Sequence, residues 1–286
     1  MNGRFGWSLV TVWALCVPPV FAAEDRTQAT GPDIKVRIGV LAKRGRQRCL
    51  DKWGLTADYL SSRIAGHVFK IVPLDFEEIY QTVEREQVDF ILTNPSFYVG
   101  LEKLYGANRI ATPKNRRTSG AYTVFGGVIF CRADRDDIRN LDNLKGKTFM
   151  ATKETSFGGW QVAWRELKER GIDPYHDFRD LSFGGTHDAV VYAVRDGKVD
   201  AGAVRTDTLE RMTQEGKIRL ENFHVLKHDH IGEDVYNFPF LHSTDMYPEW
   251  PLATLVRTSD ELAEQVAVAL IGMPPDCPAA KAARCT

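Results

Sequence analysis

One stretch of the sequence, residues 182–212 (SFGGTHDAVVYAVRDGKVDAGAVRTDTLERM), restricts the possible folds more than any other. It predicts a strand, a tight turn at Gly184 and Gly185, a helix capped by Thr186, and a second short strand. A helix that connects two short apolar strands is the repeating unit of a parallel sheet. The sequence therefore predicts an α/β protein.

Polar residues follow the turn and the second strand of this unit. His187 opens the helix, and Arg205 stands at the end of the second strand. Ligands of open α/β sheets bind at the carboxyl ends of the strands, where the free N–H groups of helix N-termini attract anions. We expect an anion site at this edge. The alternative is an ordinary αβ unit whose polar loop only meets water.

The first 23 residues have the pattern of a secretory signal peptide. Arg4 precedes an apolar run over residues 7–21, and Ala22 and Ala23 provide small residues for cleavage. The run is short for a membrane span, although an uncleaved anchor is an alternative. We expect a signal peptide over residues 1–23, a polar linker over residues 24–33, and export of the mature protein to the periplasm.

Charge and composition limit the partners. The 286 residues have a formal net charge of −1, with 43% hydrophobic and 26% charged residues. Such a chain has no overall attraction to nucleic acid or to anionic lipid. We expect a small ligand recognised by local charge, no nucleic-acid partner, no cofactor and no membrane insertion once the signal is cleaved. The four cysteines outside the signal, whose disulfide pairing stays open, are Cys49, Cys131, Cys277 and Cys285.

The rest of the chain predicts two α/β lobes, each a mainly parallel sheet flanked by helices. Residues 34–93 have a β-α-β-α-β pattern. An apolar strand over residues 122–131, with Gly126 and Gly127 at a bend, is expected to cross between the lobes, and a second strand near residue 222 to return. Short strands are expected at residues 238–241 and 252–256. Lobe 1 then comprises residues 34–125 and 222–286, and lobe 2 residues 126–221.

Several loops are predicted to meet in the cleft between the lobes. They supply hydroxyl, amide, imidazole and guanidinium groups, which suit a tetrahedral oxyanion. The candidate ligand-binding residues are Arg44, Asn94, Ser96, Tyr98, Tyr122, Thr155, Ser156, Thr186, His187 and Arg205.

Two alternatives to a binding function are a secreted enzyme and a metal-binding protein. Ser156 and His187 would be the nucleophile and base of a secreted enzyme, but no nucleophile elbow, P-loop or dinucleotide motif is present, and we expect no enzyme activity. The histidines His224, His228 and His230 are the candidate ligands of a metal-binding protein. Histidines in a polar segment are usually solvated, so we expect no metal.

Six segments together resemble a known family. They are IKVRIGVLAKRG, VDFILTNPSFYV, GGVIFCRADR, LKGKTFMATKETSFGGW, the GGTHDAVVYAVRDGKVDAGAVRTDTLERM run and FPFLHSTDMYPEWP. The chain resembles the phosphate/phosphite/phosphonate-binding branch of the type II periplasmic binding proteins over residues 34–271. It is most similar to the sensor domains that precede tetrathionate-type histidine kinases. The resemblance implies a two-lobe fold joined by two hinge strands.

The resemblance also implies a function and a site. Ligand contacts of the family correspond to Tyr98, to Thr155 with Ser156, and to His187. Relatives commonly have an acidic residue where this chain has Arg205, which favours a fully ionised oxyanion, such as a sulfur oxyanion, over a phosphonate. The implied function is an exported solute-binding protein that serves an ABC transporter permease or is the input module of a two-component sensor kinase.

Overall fold

The computed structural model describes residues 33–117, 120–226 and 238–285. The predicted signal peptide, and the predicted linker apart from Asp33, lie outside these ranges. Within them, no helix has the length and apolar character needed to cross a bilayer.

The first part of the chain alternates strands and helices as predicted. Its elements are β1 (Ile34–Leu41), α1 (Arg46–Arg63), β2 (His67–Leu74), α2 (Ile79–Glu84), β3 (Phe90–Leu92), α3 (Pro95–Tyr105) and β4 (Asn108–Ala111). β1 pairs in parallel with β2 along its whole length and with β3 on its other side. Asn94 caps α3 by accepting the Phe97 N–H, and Pro95 occupies the first turn, where its missing N–H costs nothing.

The middle of the chain begins with short antiparallel strands and ends in a second α/β run. The strands are β5 (Asn115–Arg117), β6 (Gly120–Tyr122), β7 (Val124–Phe125) and β8 (Gly127–Arg132). After them come β9 (Thr148–Ala151), a π-helical turn (Phe157–Gln161), α4 (Val162–Glu169), α5 (Pro174–Asp177), β10 (Asp180–Phe183), α6 (His187–Arg195), β11 (Ala201–Arg205) and α7 (Thr208–Gln214). Thr186 caps α6 through the Ala189 N–H, as predicted.

The last elements complete both sheets. They are β12 (Phe223–Val225), β13 (Tyr247–Pro248), β14 (Leu252–Thr254), α8 (Asp260–Ile271) and α9 (Pro278–Ala283), with short 3₁₀ turns at Leu141–Leu144 and Leu220–Asn222. The first sheet has the strand order β2-β1-β3-β14-β4, and the second has the order β10-β9-β11-β8-β12.

The two sheets share one topology. In each, one strand, β14 or β8, runs antiparallel to its two neighbours, and the other four strands point the same way. This confirms two mainly parallel sheets in an α/β fold. The lobe boundaries at residues 126 and 222 stay a prediction; β12, just beyond the second boundary, lies in the second sheet.

Helices cover both faces of each sheet, so the strands are buried on both sides. Strand β8 shows the alternation: Ile129 and Cys131 pack towards α4, while Val128 and Phe130 pack towards α6 and α7. The first sheet is likewise covered by α1 and α8 on one face and by α2 and α3 on the other.

Two predicted strands are wrong. Residues 122–131 do not form one strand: β7 ends at Phe125 and β8 begins at Gly127. The break is at Gly126, where a bend was predicted and where an added Cβ would lie 2.8 Å from the Asp245 carbonyl oxygen. Residues 238–241 form no strand, since Phe238 and Phe240 pack their rings edge-on against Tyr122. Tyr247–Pro248 pairs with β7 instead.

The cysteines whose pairing was left open are all free thiols in the structure.

Candidate functional site

A cavity of about 530 Å³ lies where β1, β3 and β11 end. Its lining comes from both sheets and from helices α1, α7 and α9. The cationic residues are Lys43, Arg44, Arg48, Lys52, Arg116, Arg117, Arg205, Arg211, Lys281 and Arg284, and the acidic residues are Asp51, Asp207, Glu210, Glu215 and Glu249. Ten basic residues against five acidic residues, in a chain of net charge −1, make this cavity a local centre of positive potential.

Arg205 lies at the centre of the cavity wall. It is buried, one of its terminal nitrogens donates to the Glu249 carboxylate, and its guanidinium lies 4.2 Å from the centre of the Phe125 ring. Its Nε has no hydrogen-bond partner within the described ranges. A buried donor without a partner is costly, so this N–H is available to an anionic ligand.

Asp207 immediately precedes α7 and lies two residues after Arg205. It adopts a left-handed conformation (φ 67°) and accepts a hydrogen bond from the Nε of Arg117, while Arg211 lies 3.6 Å from its other oxygen. Burial alone would raise the pKa of this carboxyl, but the charges of Arg211, Arg117 and Arg205 outweigh burial and hold the pKa well below its usual range. Asp207 is therefore ionised and sets the positions of these arginines.

Two lysines next to the first sheet line the same cavity. Lys43 follows β1 and lies 5.0 Å from the centre of the Trp250 ring, and Lys52 in α1 lies 4.5 Å from that of Trp53. Burial, and then the neighbouring Arg205, lowers the pKa of Lys43 well below its ordinary value. Burial likewise lowers the pKa of Lys52 to about 8.

His187 lies behind the cavity, at the start of α6. Its Nδ1 accepts the backbone N–H of Arg205 at 3.2 Å and lies 3.4 Å from the Thr152 hydroxyl. Burial and the nearby Lys43 charge lower its pKa well below the usual value, so the imidazole is neutral with its proton on Nε2. Gly159 closes this cluster: an added Cβ would lie 2.7 Å from the Ser156 hydroxyl and 2.8 Å from His187 Cε1.

Ion pairs join the first sheet to the second at one side of the cavity. Arg44 makes a bidentate contact with Asp188 in α6, at 2.8 Å for both bonds, and a longer pair of contacts with Glu215. Arg48 adds a third donor to Asp188 at 3.0 Å. These contacts fix the loop after β1 against the N-terminus of α6 and the end of α7.

The structure brings several of the predicted site residues together. Arg44 and Arg205 line the cavity itself. The Asn94 side-chain amide donates to the Thr155 carbonyl at 3.4 Å, which joins the start of α3 to the turn before the π-helix. Ser156 is buried beside His187.

Other predicted site residues lie outside the cavity. Tyr98 donates to Glu102 of its own helix at 2.6 Å and packs into the core under α2 and α3. Tyr122 lies behind Arg205 in an aromatic cluster with Phe238 and Phe240. Ser96 lies half-buried in the first turn of α3, and the hydroxyl of Thr186 is engaged in the cap of α6.

Sequence reasoning missed six groups that build the cavity: Lys43, Lys52, Arg117, Asp207, Arg211 and Glu249. A signal existed for Lys43, which stands in a basic loop after the first strand. No local pattern distinguishes Glu249, which reaches Arg205 across 44 positions of sequence.

The metal hypothesis receives no support from the described residues. His228 and His230 lie outside them, and His224 Nε2 lies 3.5 Å from the Arg139 carbonyl. Within the described ranges, no three His, Cys, Asp or Glu side chains are grouped as a metal site requires.

Comparison with known proteins decides the family. The family model of the ABC transporter, phosphonate, periplasmic substrate-binding protein matches residues 38–284. The chain belongs to this phosphonate-binding family. The model describes periplasmic substrate-binding proteins of ABC transporters, in agreement with the resemblance found in the sequence.

One curated relative is a sensor. The chain is 34% identical over 238 residues to the tetrathionate sensor histidine kinase TtrS of Salmonella typhimurium, and the match covers 83% of this chain. It spans only 39% of the length of that kinase.

Solved structures show the same fold. A binding protein component of an ABC phosphonate transporter from Pseudomonas aeruginosa superposes with a TM-score of 0.65 at 18% identity, covering 82% of this chain and 72% of its own. PhnD1 from Prochlorococcus marinus, in complex with methylphosphonate, superposes with a TM-score of 0.68 at 16% identity. The match covers 87% of this chain and 88% of PhnD1. The fold is that of type II periplasmic binding proteins, as predicted.

Proposed function

We propose that this protein is an exported solute-binding protein that captures a small, fully ionised oxyanion in the cavity between the two sheets. The observation that supports it most strongly is the excess of basic residues around the cavity, ten against five acidic residues. Charge-assisted hydrogen bonds from arginine and lysine are the strong contacts of anion sites. Family membership agrees with capture rather than turnover.

The two carboxylates beside Arg205 favour an ionised ligand. Glu249 accepts a hydrogen bond from Arg205, and Asp207 accepts one from Arg117. Carboxylates already held by arginines are poor acceptors for a proton on the ligand. We therefore rank sulfur oxyanions ahead of phosphonates, in agreement with the tetrathionate sensor among the relatives.

The ligand class is tested by thermal shift of the mature chain from Glu24 onward. The panel is phosphate, phosphite, methylphosphonate, sulfate, sulfite, thiosulfate and tetrathionate, with chloride as the reference. A ligand at 100 times its Kd adds about 2.7 kcal/mol of stability, which raises Tm by roughly 5–10 °C in a chain of this size. The absence of a shift with every oxyanion would overturn the proposal.

A matched pair of variants tests the location of the site. Arg211→Gln removes a cavity cation, and Lys103→Gln removes an exposed cation in the last turn of α3. The first should weaken anion binding at least tenfold, while the second should leave it unchanged. Equal affinities in both variants would show that the anion binds elsewhere.

We further propose that the ligand-bound form is read by a membrane protein, either a transporter permease or a sensor kinase. The family supports the first and the tetrathionate sensor supports the second. Neighbouring genes for a permease and an ATPase would favour uptake, and genes for a kinase and a response regulator would favour sensing.

A further inference from the structure

Lys43 and Lys52 differ from the arginines that surround them. Arg44, Arg117 and Arg205 each contact a carboxylate. Neither lysine has a carboxylate ion pair within the described ranges; each lies instead over an indole ring, Lys43 over Trp250 and Lys52 over Trp53. An indole face attracts an ammonium group but supplies no negative charge to pair with it.

The charges around Lys43 are mostly positive and oppose a full positive charge on it. Lys43 lines the cavity together with Arg205, Arg211 and Lys52, and Asp207 is the opposing carboxylate. Burial has the larger effect on its pKa, and these cations add to it.

Lys52 lines another part of the same cavity, and the charges around it are mixed. Cys285 and Glu249 raise its pKa, while Arg117 and Arg205 lower it. Burial again lowers its pKa most, to about 8. An anion bound beside these amines would therefore raise the pKa of both and favour their protonated forms.

We propose that Lys43 and Lys52 supply the counter-charge of the bound oxyanion and take up protons from solvent when it binds. This inference rests on the proposed function and adds a regulation to it. An amine that is neutral in the free protein gains one proton from the buffer and becomes an ammonium group, and the ligand keeps its own charge. Affinity for the oxyanion then increases as the pH falls, by linkage between ligand and proton binding.

The test is calorimetric titration of the mature protein with sulfate, thiosulfate and tetrathionate at pH 8.5. Each titration is repeated in buffers of different ionisation enthalpy, which gives the number of protons taken up. With a pKa of about 8, Lys52 is largely neutral at pH 8.5 and should take up a substantial fraction of a proton there. The uptake by Lys52 should decrease towards zero as the pH falls to 6.5.

Arginine variants distinguish the effect of a positive charge at these positions from the effect of proton uptake. Lys52→Arg keeps a cation that does not titrate in this range, so it should bind the anion and take up measurably fewer protons than the wild type at pH 8.5. Lys43→Arg should remove the remaining uptake. Lys103→Gln, an exposed lysine of α3, should leave affinity and uptake unchanged. A melting scan of each variant checks that it is folded.

The possible failures are distinct. Absence of binding with all three anions overturns this inference, and a thermal-shift panel that is also silent overturns the proposed function with it. Binding without proton uptake at pH 8.5 overturns this inference alone. Uptake that persists in the Lys43→Arg/Lys52→Arg double variant also overturns it, since the proton then goes to another group, such as the buried neutral His187.

Discussion

Replacing Glu249 with Gln would leave the buried guanidinium of Arg205 without its carboxylate. The two side chains are only 6% and 3% exposed, so water cannot compensate for the lost partner. Removing one member of a buried ion pair costs about 3–5 kcal/mol. In a chain of this size, that loss lowers Tm by roughly 6–20 °C.

An exposed pair gives the matched control. Arg165 and Glu169, one turn apart in α4, are 55% and 51% exposed. Glu169→Gln should therefore change the free energy of unfolding by less than about 1 kcal/mol. Urea denaturation of both variants, followed by circular dichroism, measures the difference.

The ion pair also makes a prediction for the ligand. In Glu249→Gln the freed Arg205 should bind an added oxyanion, so the bound anion should recover part of the lost stability. The double variant Arg205→Met/Glu249→Leu should be closer to wild-type stability, because apolar side chains replace both charges, but should lose anion affinity at least tenfold. A Glu249→Gln protein within 1 kcal/mol of wild type would refute the reasoning.

The remaining predictions concern packing, the contact between the sheets and the thiols. Gly159→Ala should destabilise the protein by about 1–3 kcal/mol in urea denaturation, since the added Cβ has no room beside the buried His187 imidazole. Gly54→Ala, in the middle of α1 where no atom lies near the added Cβ, should instead stabilise the protein by about 0.5–1 kcal/mol. Arg44→Met, which loses the bidentate contact with Asp188, should cost about 1.5–3 kcal/mol, and an unchanged urea midpoint would argue against that contact. Burial raises the thiol pKa of Cys49 to about 12, so iodoacetamide at pH 8 should not label it until the chain unfolds, as mass spectrometry would show.

Much of the fold was predictable because its determinants are local. The Thr186 cap, which the sequence predicts, uses an N–H three residues away. The alternation in β8 and the helical spacing in α6 are equally short-range patterns. Where the prediction failed, at residues 238–241, packing of Phe238 and Phe240 on a distant tyrosine replaced the expected strand pairing.

The sequence by itself determined the α/β class, the alternation of strands and helices in the two α/β runs, the Thr186 cap of α6, and the place of Arg205 at the end of a strand. Only the tertiary structure decided which charges meet. The cavity combines a lysine after β1, a lysine in α1, arginines from β5 and α7, and a glutamate between β13 and β14. The pairing of these groups, and the resulting pKa changes, depend on how two sheets pack and what they bury. A local pattern contains no information about such contacts, because charge interactions follow distance in space rather than separation in sequence.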